Sequence, residues 1–261
     1  MSHADVNGQH LFYADTGEGD TAVVFSHGFL MDHSMFDPQV EALRDRFRCI
    51  AWDERGHGAT EFDGEPFTYW DSASDLLGLL DHLGIERAVV AGMSQGGFLS
   101  LRAALTAPER VIGLVLMDTQ AGTEDPERLE GYNQLVDAWV APGGPPQQVL
   151  DVVTGIIIGP DFAGTPEWQA RWRTVGPDRM RRIYETLTTR DDIWSRLREI
   201  EAPALVIHGD QDASIELDIG RRLADELPNG ELVVIPGGGH AANLTHPDEV
   251  NPPLRRFLEA L

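Results

Sequence analysis

AGMSQGGF, residues 91–98, sets one serine among glycines where an apolar run, RAVVAGM, gives way to an amphipathic one, GGFLSLRAALTAPER. Gly92 stands two residues before Ser94 and Gly96 two after it, with Gly97 besides. Strand before and helix after is the context of a nucleophile elbow. There the serine takes a strained backbone conformation, and small neighbours let strand and helix approach each other. The glycines alone would suit any tight strand-to-helix crossing, so the reading turns on what the rest of the chain supplies.

Working outward, short apolar segments alternate with amphipathic ones: TAVVFS then FDPQVEALRDR, RCIAWD then DSASDLLGLLDHLG, VIGLVLMD, ALVIHGD then IELDIGRRLADELP, ELVVIPG then PDEVNPPLRRFLEAL. Brief apolar runs bounded by turn signals read as buried parallel strands, and the 3.6-residue periods between them as crossover helices. The fold class is α/β, a mostly parallel sheet with helices on both faces. The opening VNGQHLFYADTGEGD has turn signals around an alternating HLFYAD, which fits an antiparallel hairpin at the sheet edge.

The alternation breaks from about Gly122 to Arg198, where PGGPP, GTP and GP punctuate helical stretches and no strand is evident. Residues 122–198 are therefore expected to form a helical cap inserted into a core made of residues 1–121 and 199–261. IIIGP, residues 156–160, is read as the buried end of a cap helix. Trp139, Trp168 and Trp172 either pin the cap to the core or line a pocket, the first being favoured.

Forty-three acidic against 20 basic side chains give a formal charge of −23, which repels phosphate backbones and anionic head groups. Neither nucleic acid nor a membrane is an expected partner. All 20 basic residues are arginine, so Schiff-base chemistry, which needs a lysine amine, is excluded. Cys49 is the only cysteine and, inside FRCIAWD, reads as a buried filler. No secretory leader pattern opens the chain and no apolar run is long enough to cross a bilayer, so a cytoplasmic location is expected.

A serine hydroxyl needs a base, a group to orient that base, and donors for an oxyanion. Of nine histidines, His240 lies in the Gly-rich loop IPGGGHAAN after the last strand, where catalytic groups gather in an open α/β sheet. His246 reads as part of the turn that starts the last helix, and His27 and His208 have plausible structural duties. For the acid, Asp118, Asp210 and Asp212 all follow strands, and position alone leaves them close. SHGF, residues 26–29, follows TAVVF; the amides of Phe29 and Gln95 are natural oxyanion donors, and for Gln95 the helix-head position is expected to matter more than its side chain. WDERGHGAT, residues 52–60, is a further Gly-rich loop, and without GKS, GKT or any lysine it is no P-loop.

The series HGF, DxRGHG, GMSQGG, HGDQD, GGGH resembles the landmarks of the α/β-hydrolase superfamily across essentially the whole chain. The likeness is strongest to its lid-bearing branch of carboxylesterases, enol-lactonases, C–C bond hydrolases and cofactor-free haloperoxidases. In that family the acid usually stands three residues past the glycine of HGxxD, which selects Asp212; Glu216 departs from a proline common four residues further on. Some members place the acid where Asp118 stands, which keeps Asp118 as the alternative. Ser94 sets the chain apart from the haloalkane dehalogenases and epoxide hydrolases, whose elbow carries aspartate. The resemblance thus implies a serine hydrolase acting on a small ester or lactone through an acyl-enzyme, with Ser94, Asp212 and His240 catalytic and neither cofactor nor metal required. Perhydrolase or haloperoxidase chemistry and C–C bond hydrolysis are the alternatives on the same triad, and a non-catalytic ligand receptor is a third.

Overall fold

The computed structural model describes residues 1–159 and 161–261. Its strands are β1 (Ser2–Val6), β2 (Gln9–Asp15), β3 (Thr21–Ser26), β4 (Phe47–Trp52), β5 (Ala88–Met93), β6 (Val111–Met117), β7 (Ala204–Gly209) and β8 (Gly230–Ile235). They form one eight-stranded sheet in the order β1-β2-β4-β3-β5-β6-β7-β8. The first hairpin is antiparallel, as is its join to β4, and every later pairing is parallel. Asn7 and Gly8 make the hairpin turn with φ of 50° and 80°, the left-handed pair that a two-residue turn between twisted strands requires.

The helices are α1 (Asp37–Leu43), α2 (Tyr69–His82), α3 (Gln95–Thr106), α4 (Pro126–Trp139), α5 (Gln147–Ile157), α6 (Thr165–Trp172), α7 (Pro177–Thr188), α8 (Leu217–Glu226), α9 (Ala242–Thr245) and α10 (Pro247–Ala260). Strand residues alternate between two apolar layers. Val23, Phe25, Val89, Ala91, Leu205 and Ile207 face one, with α1 and α10; Val24, Val90, Ala204 and Val206 face the other, with α2, α3 and α8. Because both faces are covered, both sets are apolar, and the strands read as continuous runs.

Between β6 and β7 the chain forms α4 to α7 and, among the described residues, no strand. Four of the prolines that interrupt the sequence here stand where these helices begin. Pro126, Pro166 and Pro177 sit in first turns, where a missing N–H costs nothing, and Pro146 caps α5. Ile157 closes α5 and Ile158 caps it, both buried; Pro160, the end of the IIIGP reading, lies outside the described residues. Trp172 is fully buried and donates from Nε1 to the Leu30 carbonyl at 2.8 Å, tying α6 to the loop after β3. Residues Ile193, Leu197 and Ile200 pack into the layer of α2 and α3. Cys49 is buried, and burial pushes its thiol up to about 12, which keeps it protonated and inert. No helix among the described residues is long and apolar enough to cross a membrane.

Candidate active site

Five neighbouring parallel strands deliver their following loops to one edge of the sheet: Phe29 after β3, Ser94 after β5, Asp118 after β6, Asp212 after β7 and His240 after β8. Ser94 holds φ 51° and ψ −116°, a conformation non-glycine residues avoid, and its amide donates to the Met117 carbonyl at 2.9 Å. Its own carbonyl accepts from the Gly97 amide at 2.9 Å and the Thr119 hydroxyl at 2.7 Å, so the strained turn is held on both sides.

The glycines around it are steric necessities. A Cβ on Gly92 would overlap the Gly96 carbonyl, one on Gly96 the Ser26 carbonyl, and one on Gly97 the Thr119 side chain. Backbone cannot swing aside as a side chain can. Gly96→Ala is therefore expected to cost about 3 kcal/mol of unfolding free energy, read as a fall of several degrees in Tm. Gly131→Ala, where the added Cβ meets nothing within 4 Å in mid-α4, is expected to hold or raise Tm.

Ser94, Asp212 and His240 are 6%, 8% and 6% exposed and come together. His240 Nε2 lies 3.0 Å from Ser94 Oγ, and Nδ1 lies 2.9 Å from Asp212 Oδ2. Asp212 Oδ1 accepts from the amides of Ser214 at 2.8 Å and Ile215 at 3.0 Å. Burial would raise the Asp212 pKa, but the His240 charge and the hydrogen bonds from His208, His240 and Ile215 hold the carboxyl well below its ordinary range. Burial likewise pushes His240 down, and the charge and hydrogen bond of Asp212 more than offset it, so its pKa stands above the ordinary 6.5.

The other candidates fall into different duties. Asp118 is fully buried at φ 46°; its Oδ1 accepts from the Gly209 amide at 2.7 Å, its Oδ2 has no partner, and it makes no hydrogen bond to His240. Burial, with Asp212 adding like charge, pushes its pKa up to about 7. Asp210 accepts from the Gly237 amide at 2.8 Å and pins the turn before His240. His208 places Nε2 2.8 Å from the Ile215 carbonyl and 3.4 Å from Asp212, bracing the loop after β7. His27 accepts from the Glu54 amide at 3.0 Å, joining the HGF loop to WDERGHGAT, and burial lowers its pKa. His246 caps α10.

The Phe29 and Gln95 amides meet no acceptor among the described residues. A Cβ on Gly28 would lie 3.6 Å from Ser94 Cβ, so the HGF loop stands against the serine. The Gln95 side chain is not incidental: it is 1% exposed, its Nε2 donates to Glu54 Oε1 at 3.2 Å, and its Oε1 accepts from the Tyr69 hydroxyl at 3.2 Å. Glu54 is fully buried and its pKa lies well above the carboxylate range. A buried carboxyl and a phenol thus fix the residue that heads α3. In WDERGHGAT, Glu54 stands between Asp53 and Arg55, and nothing in that charged run marks it as buried.

Among the described residues, two groups of side chains have donor atoms close enough to meet a metal ion: Asp32, His33 and Asp53, and Asp118, His208 and Asp212. In the first, Asp53 Oδ1 is taken by the amide and Nδ1 of His33 at 2.6 and 2.8 Å. In the second, an ion would compete for the carboxylate that holds His240.

Ser94 and His240 open into a cavity of about 90 Å³. Phe29, Met93 and Phe98 line it from the core; Trp139, Val153, Ile157 and Met180 line it from α4, α5 and α7. Of the three tryptophans, then, Trp139 faces the cavity, whereas Trp172 pins α6 and Trp168 stacks under Arg171.

Residues 23–252 match the model of the alpha/beta hydrolase family. A 2-hydroxy-6-oxononadienedioate/2-hydroxy-6-oxononatrienedioate hydrolase of Paraburkholderia phymatum is 33% identical over 95% of this chain and 90% of its own. A putative non-heme chloroperoxidase of Synechocystis is 30% identical over 95% of both chains. Among solved structures, the enol-lactonase from Burkholderia xenovorans LB400 superposes with a TM-score of 0.89 at 28% identity, covering 98% of this chain and 99% of its own.

Proposed function

The chain belongs to the alpha/beta hydrolase family, and on that premise we propose that it is a serine hydrolase cleaving a carboxylic ester or lactone of a small organic molecule through an acyl-enzyme. The observation that carries this reading is the 3.0 Å approach of His240 Nε2 to Ser94 Oγ at the wall of an apolar cavity, with Asp212 on the other ring nitrogen. In this reading His240 takes the Ser94 proton as Oγ attacks the carbonyl, and the Phe29 and Gln95 amides hold the oxyanion. His240 then protonates the departing alcohol, and water activated by the same ring releases the acid. Residues 122–198 act as a cap over a core of residues 1–121 and 199–261, in a cytoplasmic enzyme.

The name of the Synechocystis relative favours a second reading on the same machinery, in which hydrogen peroxide replaces water on the acyl-enzyme and releases a peracid. C–C bond cleavage, after the Paraburkholderia relative, is a third. A panel of acyl esters, lactones and β-diketones, assayed with and without peroxide, separates them. Fluorophosphonate labelling of Ser94 that disappears in His240→Ala supports the shared nucleophile, and labelling that survives there contradicts it.

The pH profile follows from the direction of the His240 shift. The ring acts as base only when neutral, and its folded pKa stands above 6.5. Activity is therefore full on the alkaline side and lost as pH falls through that raised value. The acid limb of kcat/KM is expected to have its midpoint above 6.5; a midpoint below it would contradict the pairing with Asp212.

A further inference from the structure

If Ser94 is the nucleophile, the cavity it faces selects the acyl group. Besides Ser94 and His240, the residues of the wall that carry a carboxyl or hydroxyl group are Glu124, Ser214, Tyr132 and Tyr184, and Glu124 and Ser214 also line the surface groove alongside. Glu124 is the one acidic residue of the wall, and no arginine lines it among the described residues. Two guanidiniums stand behind it, and both are occupied. Arg190 is held by Glu124 Oε1 at 2.8 Å, the Gly122 carbonyl at 2.8 Å and the Leu187 carbonyl at 2.6 Å, and it lies 4.3 Å over the Phe98 ring. Arg128 is held by Glu216 at 2.8 Å and by the Ser214 carbonyl. The Tyr184 hydroxyl is likewise spent on Asn133 at 2.8 Å.

A carboxylate carried into this space would give up its hydration, find no uncommitted cation and meet the charge of Glu124. An alkyl or aryl group would only bury apolar surface. At roughly 10–15 Å³ for a water-sized group, the 90 Å³ holds about six to nine heavy atoms. We propose that the cavity takes an uncharged, apolar acyl group of that size, and that the Glu124–Arg190 pair turns away acyl groups ending in a carboxylate. Dioates, for which one relative is named, are then poor substrates here.

Binding can be tested apart from turnover. In Ser94→Ala, calorimetric titration at neutral pH compares 7-methyl-2-octanone with 6-oxoheptanoate, ketones of matched shape that differ by the terminal charge. The neutral ketone is expected to bind more tightly by about thirtyfold or more. Adding Glu124→Gln, which leaves Arg190 its charge, is expected to shrink that ratio roughly tenfold. Affinities within about threefold of each other in Ser94→Ala, or no binding of the neutral ketone, would overturn the proposal. So would a ratio unmoved by Glu124→Gln; if that variant fails to fold, the comparison in Ser94→Ala alone still decides. Hydrolysis of p-nitrophenyl 6-methylheptanoate tests the nucleophile separately. Selective ketone binding without Ser94-dependent hydrolysis supports the cavity proposal and sinks the reading of Ser94.

Discussion

Ser94→Ala is expected to lower kcat on aryl esters by about 10⁵–10⁶-fold, with secondary structure and Tm close to those of the wild type. The size of the loss comes from removing the group on which the other parts act: with no Oγ, the 3.0 Å contact to His240 has nothing to deprotonate and the oxyanion donors have no tetrahedral adduct to hold. Stability should change little, because only an Oγ is deleted while the backbone bonds that hold the turn, to Met117 and from Gly97, remain. Alanine keeps the Cβ and the φ 51° backbone that serine has, so a kinetic loss without a thermal one is the signature to seek.

Asp212→Asn is expected to cost about 10³–10⁴-fold in kcat, and Asp118→Asn less than about tenfold. The difference follows from who donates to each carboxylate. Oδ1 of Asp212 receives two main-chain amides, which cannot become acceptors, so an asparagine must turn its oxygen to them. Its amide nitrogen then faces His240 Nδ1, and the imidazole can accept that hydrogen bond only as the tautomer with a proton on Nε2. That proton points at Ser94 Oγ, and the base is lost. Asp118 is already held toward its neutral form, with one oxygen on the Gly209 amide and the other unpartnered, so the same substitution changes little around His240. Equal losses from the two variants would make Asp118 part of the proton relay.

These two aspartates also mark where sequence reading stopped. Both follow neighbouring strands at the same sheet edge, and strand position says nothing of side-chain direction. Direction is set by the left-handed backbone at Asp118 and by the amide of Gly209, 91 residues away, which claims its carboxylate. Elements whose cause is local were legible. The two-residue turn at Asn7 and Gly8, the two-sided apolar strands, and the prolines that open α4, α6 and α7 all follow from propensity and period.

Packing across distance was not legible. For Gln95 the helix-head position is expected to matter more than the side chain, and that side chain lies between Glu54, 41 positions earlier, and Tyr69, 26 positions earlier. Nothing in AGMSQGGF announces those partners. The three tryptophans divided for the same reason. Whether an indole pins or lines depends on the face of the helix turned to the cavity, which amphipathic spacing in α4 and α6 did not resolve.

The central claim is that Ser94 carries the acyl group between attack and release. Wild-type protein mixed with p-nitrophenyl 6-methylheptanoate, quenched in acid within milliseconds and weighed intact, reads this directly. The account predicts a species heavier by one acyl group, mapped by digestion to the peptide bearing Ser94 and missing in Ser94→Ala. Turnover with no adduct at any quench time, or an adduct on another residue, would contradict it.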